Sequence, residues 1–421
     1  MMKITIYYLF LLLKFILNTT TTFIYPKDLA ENLLKNISTF KSSKEITLLF
    51  TGDTQYHFPC VSINQQCKER SKNCSTQTNT KNKLPTDDFV YESTTKQSDL
   101  SFPPPNCVFI ESSFANEIQR KAIYRLIRIL ERNGQKPSAL IINGDLTNFG
   151  HSFQLELFKI EWLQTIPIPL LIGLGNHDYE NNVDDCIGNN CADRMLRWFS
   201  EEYVPTMTNF FGEFDLEKKS ELWRSEYEGS LAYTAKICSK LDNGFNSDFC
   251  LYSIQLHNRP DYATLIKFPY GHWQIRGSFH WLGVELDKIT ELVKNNGKTS
   301  GVVLINLHNH SDKVAERLKR TLENWNKFKK YKEIRLLFII LFAHLHQNHL
   351  VNYQCINGQK VPHTFVGSVP NNRFTLIKFR KNEENNKNAQ IFLLQSNSNS
   401  TIKIIEKINF EWPDCLNLIE K

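Results

Sequence analysis

The sequence predicts a layered α/β domain, and two patterns predict it. Five short runs rich in Ile, Leu, Val and Phe each end directly in a cluster of polar residues, and amphipathic helical stretches lie between them. Apolar runs of this kind, without strict alternation, fit strands buried on both faces. Strands that alternate with helices build an α/β sheet whose ligands bind outside the carboxyl ends of the strands.

The elements follow in order. The start, MMKITIYYLFLLLKFILNTTTTF, has one lysine, an apolar run and a threonine tract, and reads as a secretory signal peptide over residues 1–22. ITLLF (46–50) is the first strand and opens a single domain expected over about 45–380. Residues 60–106 carry Cys60, Cys67, Cys74 and a proline run, with little apolar periodicity. They read as a surface insertion tied down by disulfides. ANEIQRKAIYRLIRILERNG then places Ile118, Ile123, Ile127 and Leu130 near helical spacing, with Gly134 as a stop. SALII (138–142) and PLLIGL (169–174) are the next strands. Residues 180–250, rich in aromatics and cysteine, read as a helical cap near the strand ends. FHWLGVELDKITELVKNNG is a second amphipathic helix, with Trp281, Leu282, Leu286, Ile289 and Leu292 on its apolar stripe. GVVLIN (301–306) and IRLLFIILF (334–342) close the strand set, and the lysines of 313–332 lie on the solvated face of a helix between them. Residues 381–421 read as a C-terminal extension.

Composition narrows the partners. A net charge of +6 over 421 residues is too small to argue for nucleic acid, so none is expected. Ten cysteines, an even number without a paired CxxC pattern, suit an oxidising compartment better than a structural zinc site. The sequons at Asn36, Asn73 and Asn399 fit a secreted glycoprotein. After signal cleavage no segment has the length and apolarity of a membrane span.

The polar clusters carry the chemistry. They are GDTQ with Asp53 and Gln55, NGDLTNFGH with Asp145, GLGNHDYE with Asn176, His177 and Asp178, INLHNHSD with His308 and His310, and FAHLHQNH with His344 and His346. Alone, a Gly-Asp after a strand is a turn and a His-x-His is surface decoration. Together, five oxygen-and-imidazole clusters at five strand ends make a donor set suited to Mn, Fe(II) or Zn. They are too many for one tetrahedral ion and about right for two ions sharing a bridging carboxylate.

The ordered set GDxQ, GDLT, GNHD, strand-His, AHLH resembles the calcineurin-like metallophosphoesterase superfamily, over about residues 45–380. The resemblance implies a β-sandwich flanked by helices in four layers, α/β/β/α, carrying two divalent metal ions (Mn, Fe or Zn). It implies a hydrolase that cleaves phosphoester substrates with a hydroxide activated by both ions, and the signal peptide makes it a secreted one. Asp53, Gln55 and His346 would bind the first metal, Asp145 would bridge, and Asn176, His308 and His344 would bind the second. His177, steadied by a neighbouring carboxylate, would act as the general acid. His308 is preferred to His310 because it comes first after the strand. His151 is a candidate phosphate contact, and the sequon at Asn309 is expected to be unglycosylated.

Three positions depart from that pattern. Gln55 stands where a histidine is common, which points to a weaker or harder first site. Ala343 stands where glycine is usual before the His-x-His, and its methyl is expected to be tolerated. Asn148 stands where purple acid phosphatases carry a tyrosine, so a typical member of that group is not expected. The alternative reading is a non-catalytic or weakly catalytic secreted binding protein on the same scaffold.

Overall fold

The computed structural model describes residues 33–34, 37, 45–56, 105–184, 186–207, 211–221, 223–239, 249–381 and 387–415. The expected signal peptide, Asn36, His57, Cys60, Cys67, Asn73 and Cys74 lie outside the described residues. Leu33, Leu34 and Ile37 are helical and belong to a unit of residues 1–41; everything below concerns the second unit, 42–421.

Two sheets form the body. In the first, β1 (Glu45–Thr51), β2 (Ala139–Asn143) and β3 (Leu170–Gly173) run parallel. On the far side of β1 the sheet continues antiparallel through β15 (Arg373–Lys381), β16 (Lys387–Ser396) and β17 (Ile402–Phe410). The second sheet has seven strands in the order β13-β14-β12-β11-β8-β7-β4. They are β4 (Phe211–Phe214), β7 (Tyr233–Cys238), β8 (Cys250–Gln255), β11 (Ser300–Asn306), β12 (Arg335–Phe342), β13 (Val351–Ile356) and β14 (Gln359–Phe365). Its central strands β8, β11, β12 and β14 are parallel.

The apolar runs are buried on both faces, as their composition requires. One face of each central strand meets the other sheet. There Asn143 Nδ2 donates to Leu341 O across the sandwich at 3.3 Å. The other face meets helices. Val303 and Ile305 of β11 and Phe338 and Ile340 of β12 pack with Leu282, Leu286 and Ile289 of α4 (Phe279–Asn295) and Leu318 and Leu322 of α5 (Asp312–Phe328). Each such Leu or Ile stabilises the fold by about 1.5–3 kcal/mol. Against the first sheet lies α1 (Pro105–Arg132), with Ile118, Ile123, Ile127 and Leu130 buried as their spacing predicts. Gln119 of α1 donates to Thr51 Oγ1 at 2.7 Å and to Arg373 O at 3.0 Å, joining helix to sheet. The result is the expected β-sandwich flanked by helices. Two shorter helices, α2 (Ser152–Phe158) and α3 (Asn190–Arg197), complete the five α-helices among the described residues.

Four expectations change. Residues 387–410 are not an appended extension; β16 and β17 are strands of the first sheet, with Ile391, Phe392, Leu393 and Leu394 of β16 buried. Cys355–Cys415 ties the chain beyond them to β13. The segment read as a helical cap is helical only to Met207. From Phe211 it forms strands, including a separate four-stranded sheet of β5 (Glu217–Glu221), β6 (Arg224–Gly229), β10 (Gly271–Ile275) and β9 (Thr264–Phe268). Helix α1 begins at Pro105, inside the stretch read as insertion; a proline suits a first helical position because its missing N–H has no intrahelical partner there. Leu292 is exposed, and Val293, four residues after Ile289, takes its place in the core.

Candidate metal centre

All the clustered side chains leave strand ends on one edge of the sandwich. Asp53, Asp145, His308 and His344 each stand two residues beyond β1, β2, β11 and β12, and Asn176 three beyond β3. The backbone there is stitched across strands. Asp53 N donates to Gly144 O (3.0 Å), Gln55 N to Asp145 O (2.8 Å) and Ala343 N to His308 O (3.1 Å). Asp53, Asp145 and His344 adopt left-handed φ values of 55°, 52° and 66°. Non-glycine residues hold that conformation only when their surroundings over-determine it. The approach is close enough that a Cβ on Gly175 would stand 2.1 Å from Asp145 Oδ1.

The side chains converge. Around His308 Nε2 lie Asp145 Oδ2 at 3.0 Å, Asn176 Oδ1 at 3.1 Å and His344 Nδ1 at 3.2 Å. The other nitrogen of His308, Nδ1, donates to Asn143 O at 2.7 Å. That bond fixes the ring so that Nε2 faces the cluster. One proton on Nε2 can satisfy only one of three neighbours that each bring a lone pair. A cation among the four atoms satisfies all of them. Asp53 adds a second argument. It is buried, both its oxygens lack a hydrogen bond, and Oδ1 stands 3.3 Å from His346 Nε2 and 4.0 Å from His308 Nε2. A bare buried carboxylate is costly unless a positive charge compensates it. The residues therefore fit divalent metal. Gln55 Nε2 donates to Asp145 Oδ2 at 2.9 Å, which leaves its amide oxygen as the atom that could face an ion.

The electrostatics are those of tightly paired opposite charges. Burial opposes charge on His308, but the Asp145 carboxylate outweighs it and lifts the imidazole to about 9. Burial likewise works to raise Asp145, while His308 and then His177 hold it below the ordinary carboxylate range. His344 is pushed down to about 4 by burial and by the charge of His308.

His177 is half-buried beside the cluster. Its backbone N donates to Asp145 Oδ1 at 3.0 Å and its ring Nδ1 lies 3.0 Å from Asn148 O. A carbonyl can only accept, so Nδ1 carries a proton and Nε2 is the other working nitrogen. The expectation that a neighbouring carboxylate steadies this ring is corrected. Asp178 instead accepts from Gly175 N, Leu146 N, Thr147 N and Thr147 Oγ1, lacing the loops after β2 and β3 together. Burial, then the Asp145 charge, pushes its carboxyl up to about 6.

Of the competing histidines, His310 packs against Phe342 at 4.2 Å and Phe365 at 5.2 Å and does not join the cluster. His151 lies against Phe149, whose ring also meets His177, and its Nδ1 is 3.6 Å from Cys191 Sγ of the Cys186–Cys191 disulfide. The methyl of Ala343 fits because residue 52 is glycine: a Cβ there would stand 2.4 Å from it.

One residue had no motif to announce it. His257 follows β8 by two residues, as the cluster residues follow their strands, but turns inward. Its Nδ1 accepts from Leu174 N at 3.0 Å, its Nε2 donates to Leu231 O, and its own carbonyl accepts from His308 N at 2.7 Å. It thus fastens the Asn176 loop to the His308 loop. Burial pulls its pKa down to about 4.

The calcineurin-like phosphoesterase family matches this chain over residues 46–348. No curated protein sequence matches it. Among solved structures, a dimetal phosphatase from the zebrafish Danio rerio is 12% identical, with a TM-score of 0.36 over 87% of this chain and 99% of its own. A purple acid phosphatase from yellow lupin, Lupinus luteus, is 11% identical, with a TM-score of 0.36 over 90% of this chain and 55% of its own.

Proposed function

The chain belongs to the calcineurin-like phosphoesterase family, and from that premise we propose that it is a secreted hydrolase using two divalent metals held by the strand-end cluster. The observation that carries the reading is the convergence of Asp145, Asn176 and His344 on His308 Nε2, with the bare Asp53 carboxylate beside them. Asp53, Gln55 and His346 would hold one ion and Asn176, His308 and His344 the other, with Asp145 between them. When bound, two such ions supply an activated water and neutralise the oxygens of a phosphoryl group.

The protein's own groups do the rest. His308 is oriented by the Asn143 carbonyl and His177 by the Asn148 carbonyl, so neither ring reorganises during turnover. A proton on His177 Nε2 makes the ring an imidazolium. Donating it to the leaving oxygen returns the neutral tautomer that Asn148 holds. A positioned acid of this kind contributes about 10²–10⁴-fold. Three disulfides among the described residues support an oxidising, extracellular setting. No helix among those residues is long and apolar enough to cross a membrane.

The test is turnover of nitrophenyl phosphate mono- and diesters by the purified chain with Mn or Zn, before and after chelation. Chelator-sensitive hydrolysis supports the proposal, and the ratio of the two substrates narrows the class. Metal binding with no hydrolysis of either ester would favour a binding role on the same scaffold.

A further inference from the structure

A second exposed surface lies on the four-stranded sheet. Strands β6 and β10 are parallel and adjacent, with Ser225 paired to Gly271. Each is preceded by a tight turn from its antiparallel partner, β5 before β6 and β9 before β10. The two turns therefore project side by side from one end of the sheet, and Ser225 N donates to Tyr270 O at 2.9 Å between them. One tip carries Trp223, 82% exposed, and the other Tyr270, 74% exposed. A neighbouring segment carries Ile187, 93% exposed. The adjoining Gly188 lies against the Pro269 ring, and Asn189 Nδ2 donates to Lys267 O at 2.7 Å. Three of the four most exposed large hydrophobic side chains among the described residues are thus carried by these two turns and the segment that adjoins them. Exposed apolar groups scattered singly need no explanation, but a cluster does.

The chemistry of the patch selects its occupant. Trp and Tyr are amphipathic rings that favour the headgroup level of a bilayer, and projecting tips can enter that layer without a complementary surface. Behind the tips is a hollow of about 500 Å³ lined by Trp223, Tyr270, Leu265, Arg224, Lys267 and His272. Arg224 is paired with Glu226 at 3.2 Å. His272 faces the same Glu226 at 3.9 Å, and Lys267 opens onto the hollow beside them, where its ammonium would meet an anionic headgroup.

We propose that the adjacent turns bearing Trp223 and Tyr270, with Ile187 and Lys267, dock this protein reversibly onto an anionic phospholipid surface. The binding is interfacial and needs no spanning segment. The experiment is cosedimentation of the purified full chain with vesicles of equimolar phosphatidylcholine and phosphatidylserine, and with phosphatidylcholine alone. The wild type should pellet with the mixed vesicles and less with phosphatidylcholine. Trp223→Ala/Tyr270→Ala should bind roughly tenfold or more weakly, with unchanged thermal midpoint and unchanged turnover of a soluble nitrophenyl ester. A wild type that stays in the supernatant, or a double variant that pellets like the wild type, overturns the proposal. Equal binding to both vesicle types overturns its commitment to an anionic surface.

Discussion

The strand-end cluster and the turn tips of the four-stranded sheet are opposite solutions to presenting chemistry. At the cluster, Asp53, Asp145 and His308 are buried, Asp53, Gln55, Asp145 and His344 hold positive φ, and the loops are stitched to one another. At the tips, Trp223 and Tyr270 stand in solvent. A site that must hold charges near one another needs over-determined backbone, whereas a surface that meets a fluid partner needs only exposure. Substitutions should accordingly be severe and specific at the first region and thermodynamically mild at the second.

The largest effect should come from Asp145, which touches His308, Gln55 and the His177 backbone at once. Asp145→Asn should abolish turnover and release metal, read by kinetics beside elemental analysis. His177→Asn sharpens the contrast within the site. Turnover should fall about 10²–10⁴-fold while metal is kept. Loss of metal in that variant would make His177 a ligand instead.

His257→Gln should weaken metal affinity about 10–100-fold by loosening the loops it fastens, although it touches no ion. A titration of apoprotein with Zn or Mn measures this. The same residue gives a pH signature. Its folded pKa, about 4, lies below the unfolded value of 6.5, so between these values the unfolded chain takes up a proton the native one refuses. The His257 contribution to native stability should fall by about 2–3 kcal/mol as pH drops from 6.5 to 4 and stay level above 6.5. The raised pKa of His308, about 9, works the other way and lowers stability as pH climbs from 6.5 to 9. His363, buried in β14 and also depressed to about 4, adds to the same slope. Urea unfolding at several pH values should show the slope reduced in His257→Gln.

Gly52→Ala drives a methyl into Ala343 and should cost about 1–3 kcal/mol, with Ala343→Gly restoring most of it. Additive losses in the double variant would mean that the two positions do not compensate each other. At the tips, Trp223→Ala should change unfolding free energy by no more than about 0.5 kcal/mol, the smallest effect of the set.

What the sequence made legible follows the same division. The gathering of Asp53, Asp145, Asn176, His308 and His344 was readable because each side chain follows its strand within three residues, so a local pattern carries the position. His257 sits at the same offset after β8 but was invisible, since its role depends on Leu174 and Leu231, far away in the chain. The role of Asp178 was hidden for a related reason: its carboxylate points back to four donors on two loops, which no local pattern connects. Strands β16 and β17 were hidden by the polar residues between them, and neither shows a clean alternation of burial: β16 is buried continuously from Ile391 to Leu394 and β17 is exposed from Ile405 to Lys407. The paired turn tips depend on the register of β6 and β10, strands more than forty residues apart that no local pattern connects.

The central claim is that distant strand ends gather donors for two cations, and metal content tests it most directly. Elemental analysis of the purified full chain, after equilibration with Mn or Zn and removal of excess, should find two ions per wild-type molecule and almost none in Asp145→Asn. Wild-type protein free of tightly bound divalent metal, or a variant that keeps the full complement, would contradict the account.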